Sequence, residues 1–347
     1  MAAEGIAGCG YPVGRWRTCL TYIQRGVDAR SDSRSGRNRW ILRWRAGAFR
    51  TFRVRARERR KSFGIAATRS RTAEETFLVP VTASDDVRQF DAVDLAIVAV
   101  KTYSLAEIAP AARWSAENGA LILPLLNGVD IADRLMERGI PKENVLGGLT
   151  TISAERTSPG IFERHGKVQQ IVFGEFDPGE AAHAHARARS ERVEGVAKVF
   201  REAGVETQVS GNIRLDLWRK FAFLAPVAAA CGLTRSPIGP IRAIPVGRLL
   251  LERAMAEVLA VGRSRDIALA DSEISRILEF CDSLPETNKP SLLRDLEAGL
   301  PTEIDDLSGA ISRMGRSLGV ETPIHDTAFA AINLASKAEH FRSPQSA

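Results

Sequence analysis

Apolar positions fall into two regimes along the chain. Between about 76 and 180 they form short, nearly continuous runs: "FLVPV" (Phe77–Val81), "VDLAIVAVK" (Val93–Lys101) and "ALILPL" (Ala120–Leu125). Unbroken runs of this length suit strands buried on both faces of a parallel sheet. Between the last two, "LAEIAPAARWSAENG" carries helical spacing and stops near Gly119, so strand, helix and strand follow one another as a βαβ unit. Further β-type segments are "NVLGGLTTISA" and "VQQIVFGEF". From about Ala181 the pattern lengthens into helical stretches at Ala181–Ala203, Leu215–Ala230, Val246–Arg265, Asp271–Asp282, Glu303–Leu318 and Thr327–Lys337. The expected fold class is α/β, an incomplete doubly wound parallel sheet domain (76–180) followed by a mostly helical C-terminal domain (181–340).

The first 75 residues fit neither regime. A doubly wound nucleotide fold should open with an apolar strand, a glycine-rich turn and a helix. The segment offers three of the five tryptophans, many arginines and little periodicity, and is expected to be an aberrant, poorly ordered basic segment. "GCGYPVG" (Gly8–Gly14) imitates a phosphate loop, but no strand precedes it and a proline occupies the helix start.

Charge sharpens this contrast. Ser35–Lys61 holds eleven lysines and arginines against one acid, Glu58, a surplus larger than the net +6 of the whole chain. The basic character is therefore local, and the remainder is net acidic. The four cysteines show no metal-ligand or redox spacing. His183 and His185 stand two apart and do not share a helical face, which argues against a metal site. No apolar run reaches membrane-span length and no secretory leader is visible, so a cytoplasmic protein with no membrane partner is expected.

Five motifs in order resemble the ketopantoate reductase (2-dehydropantoate 2-reductase) family: "AVKTYSLAE" (Ala99–Glu107), "LPLLNGVD" (Leu123–Asp130), "LGGLTTISAERTSPGIFERHG" (Leu146–Gly166), "NIRLDLWRKF" (Asn212–Phe221) and "PSLLRDLEAGLPTEIDDLSGAI" (Pro290–Ile311). Order and spacing match over roughly residues 76–340. The resemblance implies a Rossmann-like NADP-binding domain. It also implies reduction of ketopantoate to pantoate with NADPH, in pantothenate and coenzyme A biosynthesis. The partner is then a small 2-oxo acid rather than a nucleic acid, and a homodimer stays open.

Carried over residue by residue, the resemblance makes Lys220 the catalytic lysine, polarising the ketone and supplying the proton. Read alone, a lysine there is a solvated helix residue. Asn127 matches an asparagine contacting nicotinamide and substrate; read alone, it is an Asn-Gly turn. Ser291 and Arg294 fall in the segment that binds the substrate's polar groups, although Ser291 could equally be a helix N-cap. Lys101, Ala154 and Glu303 match cofactor contacts, Ala154 through its backbone. Glu303 could instead be an acid in a first helical turn. No metal is implied. The chain departs from the family at Leu224 and Ala228, where asparagines often hold the substrate. Each lost amide removes a hydrogen bond worth roughly 0.5–1.5 kcal/mol. A less polar 2-oxo acid is the alternative substrate, and a catalytically impaired relative the alternative function.

The family's usual opening, similar to "GAGAIGGYFGARLARAGHDVTLIARG", is missing. Read one base into each codon from Arg34, however, the chain permits "GAGAIGGYFGG", with Trp40 and Trp44 both becoming glycine. A frame shift over this stretch explains the arginine and tryptophan excess. A basic nucleic-acid arm and an unusual in-frame extension stay open. Without the glycine turn and helix N-terminus that neutralise a pyrophosphate, the chain should bind NADPH poorly. Fluorescence titration measures this, and micromolar binding would refute it.

Overall fold

The structure, a computed structural model, describes residues 20–23, 66–71, 76–81, 86–90, 93–158, 161–176 and 183–342. The permitted glycine-rich frame and the "GCGYPVG" loop lie outside them. Two strands fall within the first 75 residues, β1 (Leu20–Ile23) and β2 (Ala66–Arg71), and neither is foreshadowed by the apolar pattern.

The βαβ unit forms as predicted. Strands β4 (Leu95–Val98) and β5 (Leu121–Pro124) pair in parallel around helix α1 (Leu105–Glu117). Strand β1 pairs antiparallel with β4, so this small sheet is mixed. Successive side chains of a strand point to opposite faces. Ala96, Val98 and Ile122 pack with Leu105, Ile108 and Ala112 of α1 on one face. Leu95, Ile97, Leu121 and Leu123 face the other way. Burial on both sides is the reason the two strand sequences carry no alternation.

A second sheet has the order β3-β2-β7-β6, with β8 pairing with β7 beside it. Here β3 is Thr76–Val81, β6 is Leu146–Ser158, β7 is Ile161–Glu175 and β8 is Glu206–Val209. Strands β6 and β7 form a long antiparallel hairpin, whereas β8 adds to β7 in parallel. A parallel bridge between Ile122 and Val145 joins the two sheets. Short helix α2 (Ile131–Met136) follows β5 and buries Ile131 and Leu135 against the α1 face.

The stretch after 181, expected to open the helical domain, packs on the sheet instead. Helix α3 (His183–Glu202) is the crossover of a second parallel unit, β7-α3-β8. Its Val193, Val196, Ala197 and Phe200 pack on Leu95, Ile97, Leu121, Leu123 and Phe173. A charged, strongly helical stretch reads as part of the helical domain. Its apolar stripe instead closes the open face of the sheet.

The helical domain begins with α4 (Ile213–Thr234), whose N-cap Asn212 accepts the Leu215 N–H at 3.1 Å. Around it pack α5 (Ile238–Ala243), α6 (Pro245–Arg263), α7 (Ser272–Ser283), α8 (Ser291–Glu297), α9 (Ser308–Leu318) and α10 (Pro323–Arg342). Gly232 permits the close approach of α4 and α10, since a Cβ there would lie 2.6 Å from Ile332 Cδ1. The helix predicted from Glu303 starts five residues later, at Ser308, leaving Glu303 in the turn after α8. No helix among the described residues is long and apolar enough to cross a membrane.

Phe173 is fully buried and meets Phe200 edge-on, with ring centroids 5.8 Å apart, at the seam between α3 and the sheet. Phe173→Ala should cost about 3–5 kcal/mol through the cavity it leaves. A lower urea midpoint in equilibrium unfolding is the expected reading.

Candidate active site at the domain junction

Asn127 stands in the loop after β5, at the C-terminal edge of the parallel pair. Its neighbour Gly128 adopts φ +133°, a conformation L side chains rarely take. Lys220 comes from the second turn of α4 and donates an Nζ–H to Asn127 Oδ1 at 3.2 Å across the domain junction. The two border a small cleft, lined also by Leu149, Leu217, Phe221 and Leu224. These walls strip water from the ammonium. Burial lowers the Lys220 pKa to about 8, against a smaller opposing pull from the Glu303 carboxylate.

Glu303 is buried, and each of its oxygens has a partner. Oε1 accepts from the Thr102 backbone N–H at 3.1 Å and from the Thr102 hydroxyl at 3.3 Å. Oε2 lies 3.4 Å from Lys101 Nζ, which also donates to Asp295 Oδ2 at 2.8 Å. Burial disfavours the Lys101 ammonium, but Glu303 and Asp295 more than offset it, and its pKa is raised. Arg134 of α2 pairs with Asp306, and Asp133 accepts from Arg265 at 3.4 Å. Cations and acids therefore face one another at three places along the junction.

Of the residues predicted from sequence, Asn127 meets Lys220, and Lys101 meets Glu303. Glu303 is not an acid of a first helical turn; it precedes α9 and turns back to the sheet domain. Ser291 is the first residue of α8, half-buried, with Pro290 in the cap position, so it is not an N-cap. Arg294 is exposed on α8. Ala154 is exposed on β6, opposite Arg164, and does not line the cleft. Leu149 does, five residues earlier on the same strand, a distance of ~17 Å. The two departures from the family pattern separate: Leu224 borders the cleft one turn after Lys220, while Ala228 is fully buried in the helical core.

Two residues of this network carry no signal strong enough to single out beforehand. Thr102 acts partly through its backbone. Asp295 is four residues after Ser291, a spacing that places both on one helix face, and that spacing is the clue to it.

An ammonium held in an apolar cleft also costs stability. With a folded pKa near 8 against an unfolded value near 10.5, the unfolded chain binds more protons between these limits, so stability rises with pH there. Lys220→Met should raise the melting temperature at pH values below about 8. The advantage should shrink as pH climbs toward 10.5. Thermal unfolding across that range checks it, and a variant less stable at neutral pH would contradict it.

Residues 42–178 match the family model described as ketopantoate reductase PanE/ApbA, and residues 212–336 match the ketopantoate reductase PanE/ApbA C terminal. The gap between the matches contains α3 and β8, and the second match begins at Asn212, the N-cap of α4. A 2-dehydropantoate 2-reductase of Halobacterium salinarum is 30% identical over 258 residues, covering 74% of this chain and 80% of that protein. An uncharacterized oxidoreductase of Bacillus subtilis, YkpB, is 29% identical over 286 residues, covering 82% and 90%. The crystal structure of 2-dehydropantoate 2-reductase from Geobacter metallireducens GS-15 superposes with TM-score 0.69 at 26% identity, covering 80% of this chain and 90% of that one. With the two-domain architecture and the Lys220–Asn127 junction, these likenesses place the chain in the ketopantoate reductase family of oxidoreductases.

Proposed function

We propose that the protein reduces a 2-oxo acid with NADPH, converting 2-dehydropantoate to pantoate in pantothenate and coenzyme A biosynthesis. The observation that carries this reading is the Lys220 ammonium, held against Asn127 in a cleft with apolar walls. Ketone reduction adds hydride to carbon and leaves negative charge on oxygen. A group that stabilises this charge and delivers a proton acts directly on the transition state. The cofactor supplies the hydride; Lys220 supplies the proton to the carbonyl oxygen and regains it from solvent. Asn127 accepts one Nζ–H and so fixes the direction of the others. The Glu303 carboxylate favours the protonated amine.

The donor set suits a nicotinamide dinucleotide in part. Lys101 and the Asn127 amide would meet its anionic and amide groups, with the Ala154 backbone and Glu303 as further contacts. Ser291 and Arg294 would bind the substrate's polar groups. Leu224 favours a second reading, reduction of a less polar 2-oxo acid, because an asparagine there would offer hydrogen bonds that leucine cannot.

NADPH oxidation at millimolar cofactor, with 2-dehydropantoate and with 3-methyl-2-oxobutanoate, tests both readings. Turnover of 2-dehydropantoate is expected. It should fall roughly 100-fold or more in Lys220→Met, as for loss of a general acid. The rate kcat/KM should decline as pH rises past about 8, where Lys220 loses its proton. Preference for 3-methyl-2-oxobutanoate would select the second reading. Oxidation with neither substrate would leave a catalytically impaired relative.

A further inference from the structure

Lys101 is gripped by two carboxylates from the helical domain, and they are not equivalent. Glu303 has one oxygen committed to Thr102, through both the backbone N–H and the hydroxyl. Only Oε2 is left for a cation, and Lys101 Nζ stands 3.4 Å from it. That exceeds the roughly 2.7–2.9 Å of a close ammonium–carboxylate hydrogen bond. Asp295 Oδ2 lies at 2.8 Å, within that range. Asp295 therefore sets where the ammonium sits, and Glu303 adds to the field around it.

The charges along this edge balance. Two lysines, Lys101 and Lys220, feel Glu303, and Asp295 compensates Lys101 alone. Without Asp295, a single buried carboxylate would serve two cations, and Lys101 would be drawn onto Glu303. We propose that Asp295 is a positioning residue, fixing the Lys101 ammonium at the domain junction for an anionic group of the cofactor. The part concerning the cofactor rests on the assignment of Lys101 under the proposed function. The hold of Asp295 on Lys101 does not.

The full-length chain carries the test in two arms. In steady-state kinetics, Asp295→Asn should raise the KM for NADPH about fivefold, the scale of one partly exposed ion pair. The kcat should stay within about twofold. Asp295→Glu should restore most of the loss, and in a Lys101→Met background Asp295→Asn should add nothing further. An unchanged KM, or the same loss in the Lys101→Met background, overturns the cofactor role. The second arm needs no turnover: acetic anhydride labelling of the unliganded chain, read at Lys101 by mass spectrometry. Asp295→Asn should speed labelling several-fold, because an amine with one carboxylate partner fewer is less firmly protonated. Exposed Lys198 (side chain 76% accessible) should be unchanged. Unaltered Lys101 labelling overturns the proposal even where the enzyme is active. Absent turnover with altered labelling overturns the proposed function instead.

Discussion

Glu303 shows why the two domains must meet. A carboxylate taken out of water is tolerable only when its oxygens find donors or a cation. No residue near Glu303 on its own turn supplies them: the partners are Thr102 and Lys101, some two hundred positions earlier in the chain. The helical domain thus carries a group whose desolvation cost is met by the other domain. Thr102 can serve because the chain leaves β4 and turns through Lys101–Ser104 before α1 starts, exposing a backbone N–H at the sheet edge.

The same closure creates the environment of Lys220. Leu217, Phe221 and Leu224 come from α4 itself and Leu149 from β6, so both domains contribute to the dry walls around one amine. Asn127 provides a polar contact and Glu303 a counter-charge at longer range. A lysine in water would be a weak acid at neutral pH. Burial moves it to where proton release and uptake are both accessible. Under the proposed function, stability is surrendered at this position for reactivity.

Much of this was legible in the sequence, for definable reasons. The runs at Val93–Lys101 and Ala120–Leu125 lacked alternation because α1 and α3 cover opposite faces of their strands. The Asn-Gly pair after a buried strand marked the sheet edge where Asn127 sits. Helix α3 reads as part of the helical domain because periodicity reports that a face is buried, not against what. Glu303 reads as helical because an acid-rich stretch before an apolar period looks the same whether the helix starts there or five residues later. Asp295 is marked locally only by its four-residue spacing from Ser291, because the contact that gives it meaning spans 194 positions.

Helix α4 starts directly after β8, so among the described residues the backbone passes from one domain to the other at 210–212. Beyond that covalent joint, Lys101 with Asp295 and Glu303, Arg134 with Asp306, and Arg265 with Asp133 bind the halves by opposite charge. Such pairs tie the evolution of one half to the other. A cation lost from the first half strands an acid in the second, and a compensating change is then favoured far away in the gene. In descendants of this chain, co-variation between the halves should therefore concentrate at these charged positions, while the two apolar cores drift largely on their own.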